Sequence, residues 1–129
     1  DLFGEQLYFD EDDNIVGREE RMLLDSAAIT CEEVRRLAFE AGGAAVPAHI
    51  DRDANSMLKI LGGVPEEYPA VELSSRASAE ELAFWRERRL VLVDSDAHTL
   101  DAMSDVGVID LPERTVDALV ERLRRGGGI

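Results

Sequence analysis

The chain contains two histidines, and where they fall matters more than how many there are. His49 stands three residues beyond Val46, just past the apolar run Ala44-Ala45-Val46. His98 stands five residues beyond Val93, past a second run, Leu90-Val91-Leu92-Val93. Asp96 precedes His98 by two positions in Asp94-Ser95-Asp96-Ala97-His98, and Glu72 sits within a third run, Ala70-Val71-Glu72-Leu73. Imidazole and carboxylate together suit zinc, manganese or iron. Asp-x-His on a tight turn can aim both side chains at one pocket, where the carboxylate can bridge two ions and the imidazole gives a directional bond to one. Ions held this way clamp a phosphate ester and bring the pKa of a bound water toward neutrality, so that hydroxide can attack phosphorus.

Each of these residues also has a plainer reading. A histidine after a strand is more often a loop or core residue than a ligand, and Asp-x-His alone is a weak pattern. Glu72 could simply pair with Arg76 or Arg52. What favours a site is that every histidine falls at one edge. In parallel α/β sheets and barrels the active site is built at the carboxyl ends of the strands.

The elements that must position these residues follow from periodicity and caps. Gln6–Phe9 and Ile15–Val16 flank an acidic turn and predict a hairpin. The stretch 19–26 reads as either strand or coil. Thr30 and Glu33 have capping-box spacing, and Val34, Leu37, Ala38 and Ala41 repeat at helical intervals up to Gly42-Gly43. Ala44–Val46 then predicts a short buried strand that Pro47 stops. Residues 55–61 predict a short helix. Residues 70–73 predict a second strand, and Ser78 with Glu81 a second capping box opening a helix to about Arg88. Residues 90–93 are the clearest strand, and 106–109 predict another. Pro112 is placed as a first-turn proline before a last helix carrying Val116, Leu119, Val120 and Leu123, closed by Gly126-Gly127-Gly128. Strands alternating with helices predict an α/β fold with a mainly parallel sheet. Residues 1–129 read as one domain, with 1–28 a hairpin-like excursion and 29–129 the βα units.

Composition narrows the function classes. With 14 Lys and Arg against 28 Asp and Glu, the formal net charge is −14. An acidic surface repels phosphate backbones, so a nucleic-acid groove is disfavoured. A small anionic substrate stays open, because a metal ion or a local arginine can reverse the field inside a pocket. No apolar run is long enough to span a membrane, and residues 1–5 do not resemble a signal peptide. The single cysteine, Cys31, cannot form an intrachain disulfide and is expected to be small, partly buried and inert at a helix start, which makes a reducing cytoplasm the simplest compartment.

Two motifs resemble a known family. Pro47-Ala48-His49-Ile50-Asp51-Arg52 resembles the third motif of the PHP (polymerase and histidinol phosphatase) domain, a Pro-x-His segment after a strand. Ser95-Asp96-Ala97-His98 resembles its fourth, Ser-Asp-x-His. The similarity runs from roughly Gly17 to Met103, and the two motifs together are stronger than either alone. The resemblance implies a partial, distorted (β/α)7 TIM-like barrel and a metal-dependent phosphoesterase whose intact domain holds two or three divalent ions (Zn, Mn, Fe or Mg). It implies that His49, Asp96 and His98 are metal ligands, with Asp96 and His98 in the catalytic centre, and that Glu72 stands behind them at most. Arg52 is the candidate for substrate phosphate, because a guanidinium fork suits that oxyanion; a surface salt bridge is its plainer role.

The departure from the family is large. Its first motif is His-x-His and its second adds further His, Asp and Glu ligands, whereas this sequence has no third histidine. The chain does not begin with Met, and the expectation is the C-terminal part of such a domain, inactive alone. An unclosed barrel leaves a strand edge open. A second copy of the chain, or the missing N-terminal half of the barrel, is the partner expected there. The competing expectation is a non-catalytic α/β module acting by binding or assembly. A domain of a larger polymerase is a third reading, which the acidic surface disfavours.

Overall fold

The computed structural model describes residues 4–127; Asp1 to Phe3 of the opening segment and Gly128 of the closing glycine run lie outside them. The chain divides into two compact units, residues 1–30 and 31–129.

The first unit is built on the expected hairpin. Strand β1 (Leu7–Phe9) pairs antiparallel with β2 (Ile15–Arg18), with a register shift between Tyr8 and Phe9. The acidic turn is held from inside. Asp10 accepts backbone hydrogen bonds from Asp12 (3.0 Å) and Asn14 (2.9 Å), while Asp13 takes φ +62°. Such side-chain-to-backbone bonds are why Asp favours turns. The stretch 19–26, ambiguous in sequence, contains no strand or helix. Glu19 takes hydrogen bonds from Arg21 and from the Tyr8 hydroxyl, which hold its carboxyl far below the usual range.

The second unit is mixed α/β. Helix α1 spans Cys31–Glu40 and α2 spans Met57–Leu61. Strands β3 (Ala70–Ser74) and β4 (Leu90–Asp94) run parallel in register Ala70↔Leu90 to Ser74↔Asp94, joined through α3 (Ala79–Arg86). A 3-10 turn at Leu100–Ala102 and helix α4 (Val116–Arg125) complete it. The Ser78–Glu81 capping box forms in full: the Ser78 oxygen accepts from the Glu81 amide, and the Glu81 carboxylate accepts from the Ser78 amide. The core is small. Ile50, Val71 and Leu73 are fully buried, with Leu58, Leu82, Trp85 and Val91 packed against them. Because β3 is covered on both faces, its burial does not alternate, and only Glu72 along it is partly exposed.

Two expected strands do not form. Residues 44–46 are coil, and it is the following segment that lies beside β3: the Glu72 amide donates to the Pro47 carbonyl and the Ile50 amide to the Glu72 carbonyl, each at 3.0 Å. A regular parallel ladder would bring in residue 49, not 50. Pro47 has no N–H to donate, and His49 sits at φ +30°, so the segment bulges instead of continuing as a strand. Residues 106–109 are also coil. Gly107 approaches β4 so closely that a Cβ there would stand 2.0 Å from the Val93 carbonyl oxygen, yet Val108 is 95% exposed, so the segment has no side-chain cover to fix it as a strand. Among the described residues the sheet therefore has two strands and no barrel closes.

Two smaller expectations also fail. Pro112 is not in the first turn of α4, whose cap is Thr115, accepting from the Ala118 amide at 3.2 Å. Cys31 is exposed, because its place at the start of α1 gives it no apolar cover. Gly126 ends α4 at φ +74° with its α-carbon so near Pro69 that a Cβ would lie 2.5 Å from the Pro69 carbonyl oxygen. Among the described residues no helix is long and apolar enough to cross a membrane.

Candidate functional site

The loop after Pro47 is fixed by short-range bonds that follow from its residue types. The Arg52 amide donates to the His49 carbonyl at 3.0 Å, closing a turn. Ser56, fully buried, donates from its hydroxyl to the Arg52 carbonyl at 2.7 Å and caps α2 by accepting from the Lys59 amide at 3.3 Å. Asp51 ties this loop to the end of β3. Its carboxylate accepts from the Ser74 amide at 2.7 Å and from the Ser74 hydroxyl at 2.6 Å. Burial pushes the Asp51 carboxyl up, but the Ser74 hydroxyl and amide outweigh it and hold the group below its usual value.

The second loop follows β4. The Asp96 amide donates to the Asp94 carboxylate at 2.9 Å, and Asp96 takes φ +45°. His98 Nδ1 lies 2.8 Å from the Asp96 carbonyl oxygen. A carbonyl can only accept, so Nδ1 carries the proton and Nε2 is the nitrogen whose lone pair is free in the neutral ring. This backbone anchoring of one ring nitrogen is how a metal-binding histidine is usually oriented.

The two loops face one cavity of about 620 Å³, lined by His49, Arg52, Asp96 and His98 together with Asp51, Asp53, Asn55, Ser74, Arg76 and Glu81. His49, Arg52, Asp96 and His98 are thus all in the lining, while Glu72, the other carboxylate singled out in sequence, is not. Of the four non-glycine residues at positive φ among the described residues, His49, Asn55 and Asp96 also line it. Backbone strain of this kind costs about 1–3 kcal/mol per residue and clusters at functional sites.

The arrangement stops short of a metal centre. Among the described residues no three of His, Cys, Asp or Glu are grouped so as to hold an ion. The Asp96 carboxylate is paired with the Arg52 guanidinium, and its other oxygen is 3.9 Å from His98 Nδ1. His49 Nδ1 is buried with no hydrogen-bond partner among the described residues. The donor types therefore suit a divalent cation, with an orphaned imidazole nitrogen and a second one open, but their present geometry completes no site. Glu72 is not in the lining. Burial and the charge of Asp94 raise its carboxyl above the usual range, opposed by the His49 amide and charge. Its expected arginine partners are otherwise occupied or absent: Arg52 pairs with Asp96, and Arg76 makes no ion pair among the described residues.

Sequence reasoning missed Asp51, Ser74 and Ser56. The one local signal was the polar–apolar–polar run His49-Ile50-Asp51 around a residue that proves fully buried. No family model, characterised protein or solved structure matches the chain.

Proposed function

We propose that this chain supplies one rim of the site of a metal-dependent phosphoesterase of the PHP type, acting on a small phosphate ester or a nucleotide end. The observation that carries the reading is the convergence of both histidines, Asp96 and Arg52 on one cavity beyond the carboxyl ends of parallel strands. In this reading the two-stranded parallel sheet belongs to a partial, distorted (β/α)7 barrel.

His49, Asp96 and His98 would hold divalent ions, zinc, manganese, iron or magnesium. Bound ions would supply an activated water and charge to steady the phosphoryl oxygens. The chain's own residues do the rest. The Asp96 carbonyl orients the His98 ring through Nδ1 and leaves Nε2 outward. The Asp51–Ser74 bonds hold the His49–Arg52 loop against β3. Arg52 brings a guanidinium into the cavity, where it can grip phosphate oxygens bidentately. The donor set within these 129 residues is incomplete, so the remaining ligands come from protein beyond them, and the chain by itself binds metal weakly and hydrolyses nothing measurable. No strand pairs with the outer edge of β4 among the described residues, where only the coil at Gly107 lies against Val93; in this reading a second copy or the rest of a barrel would displace that segment to pair there.

A non-catalytic α/β module is the second reading, and the Arg52–Asp96 ion pair favours it, since it gives Asp96 a structural partner. Metal analysis separates the two. The protein is loaded with zinc, manganese or iron and desalted, then assayed on a generic phosphate ester after fusion to a half-barrel bearing His-x-His. Under the phosphoesterase reading His98→Ala removes both bound metal and activity; metal content and activity indifferent to that substitution would establish the module instead.

A further inference from the structure

We propose that the outer edge of β4 is a surface for pairing with a second copy of this chain, and that residues 104–110 are an intrachain cover that holds it shut. The proposal deepens the open-edge part of the reading above and draws on none of the cavity residues. The edge is defined by the ladder on the strand's other side. The Leu90 amide donates to the Pro69 carbonyl, so residues 90, 92 and 94 turn their backbone groups toward β3. Val91 and Val93 therefore turn theirs outward. Gly107 lies directly against that edge: a Cβ there would stand 2.0 Å from the Val93 carbonyl oxygen and 3.1 Å from its carbonyl carbon. Only glycine lets two backbones come so close. Away from this point the cover stands off. A cleft of about 340 Å³ is lined by Val91 and Val93 of the strand and by Val106 and Val108 of the cover. Among the described residues no hydrogen bond joins 104–110 to β4, and Val108 is 95% exposed.

A cover of this kind conceals the edge without satisfying it. The backbone groups of Val91 and Val93 have no ladder partner on the outer side among the described residues, and releasing the cover breaks no hydrogen bond. Such an edge is a template for another strand. The strand itself suits pairing, because Leu90-Val91-Leu92-Val93 is uncharged and half β-branched. Two identical strands related by a two-fold axis pair antiparallel, and the contact is self-complementary. Arg89 precedes the apolar run and Asp94 ends it, so antiparallel pairing of two copies brings opposite charges together at each end. This charge arrangement favours a second copy over an unrelated strand. Pairing would join two sheets of two strands into one of four, past the size at which a sheet is marginal alone. It would also cover β4, which is partly exposed along its length where β3 is mostly buried.

The test uses the 129-residue protein in sedimentation velocity over a dilution series, on the wild type, Gly107→Ala and Gly63→Ala. Circular dichroism checks that each is folded. The added methyl at position 107 forces the cover off Val93, whereas at position 63 it meets nothing within 4 Å. Gly107→Ala is expected to lower the dimer Kd at least about tenfold relative to wild type, and Gly63→Ala to change it by less than about twofold. Val106→Ser, which loosens the cover without a clash, carries the same expectation as Gly107→Ala and replaces it if that variant does not fold. Amide hydrogen exchange then locates the contact: the Val91 and Val93 amides are expected to slow in the variant dimer relative to the wild-type monomer. Adding Val93→Pro, which deletes an outward amide, is expected to return the variant to monomer. Folded Gly107→Ala and Val106→Ser that stay as monomeric as wild type would overturn the proposal. So would equal tightening by Gly63→Ala, a dimer that leaves the Val91 and Val93 amides exchanging as before, or a wild type already dimeric through this edge. None of these readouts involves metal, so failure here leaves the reading of the cavity standing.

Discussion

The Asp51 carboxylate accepts two hydrogen bonds from one residue, the amide and the hydroxyl of Ser74, across 23 positions of sequence. This clamp joins the loop bearing His49 and Arg52 to the carboxyl end of β3. Removing it by Asp51→Asn or Ser74→Ala is expected to cost about 1–3 kcal/mol, because a partly buried donor or acceptor is left unpaired. The Asp51 pKa is depressed on folding, so as pH falls the unfolded chain takes the proton first. The stability that this carboxylate contributes is whole above the ordinary aspartate value, about 4, and is lost as pH drops toward the folded value. Urea denaturation at neutral pH and at about pH 3 measures both: the gap between wild type and Asp51→Asn is expected to be wide at the first and narrow at the second.

Glu72 behaves in the opposite sense. Burial and Asp94 raise its pKa in the folded state, so ionised Glu72 weighs against folding. Its penalty is absent below the ordinary glutamate value, about 4.3, and is complete once pH has passed the folded value. Glu72→Gln keeps an acceptor for the His49 amide and is expected to stabilise the protein at pH 8 and to be neutral at pH 4. Thermal unfolding monitored by circular dichroism at the two pH values decides it; a substitution that destabilises at pH 8 would mean that the charge is needed where it stands.

Gly126 closes the carboxyl end of α4 against the start of the sheet. A Cβ there meets the Pro69 carbonyl oxygen at 2.5 Å, and φ is +74°. The Pro69 carbonyl also receives the Leu90 amide that begins the β3–β4 ladder. Gly126→Ala is therefore expected to cost about 2 kcal/mol or more. Gly63→Ala, where a Cβ meets nothing within 4 Å, is expected to change stability by less than about 0.5 kcal/mol. Denaturant midpoints of the two variants test the contrast.

The parts legible in sequence were those governed by local rules. The hairpin, the Ser78–Glu81 box, helix α3, strands β3 and β4 and the body of α4 each follow from a cap, a period or an apolar run, and each is present. The failures are tertiary. Residues 44–46 have the composition of a strand, but the proline that follows and the positive φ at His49 turn the neighbouring chain into a bulge beside β3. Residues 106–109 alternate well enough, but at Gly107 there is no side chain to pack and Val108 is left in water. The candidate site was legible at Asp96 and His98 because they follow the end of β4, whereas His49 and Arg52 were placed by a strand at 44–46 that does not form and reach the cavity from the bulge beside β3. The Asp51–Ser74 clamp was not, since aspartate and serine are common everywhere and their meeting depends on how two loops lie in space. The Arg52–Asp96 pair was legible only as two candidates for separate roles; their direct contact across 44 positions is a fact of the fold.

The central claim is that both imidazoles belong to one cation site. A chain with two histidines gives an imidazole NMR spectrum of two ring systems, and a trace of Mn²⁺ broadens resonances within a short radius of the ion. The account predicts that the His49 and His98 ring signals broaden together at the same substoichiometric Mn²⁺ and that Asp96→Asn relieves both. Broadening of His98 alone, with His49 left sharp, would contradict it.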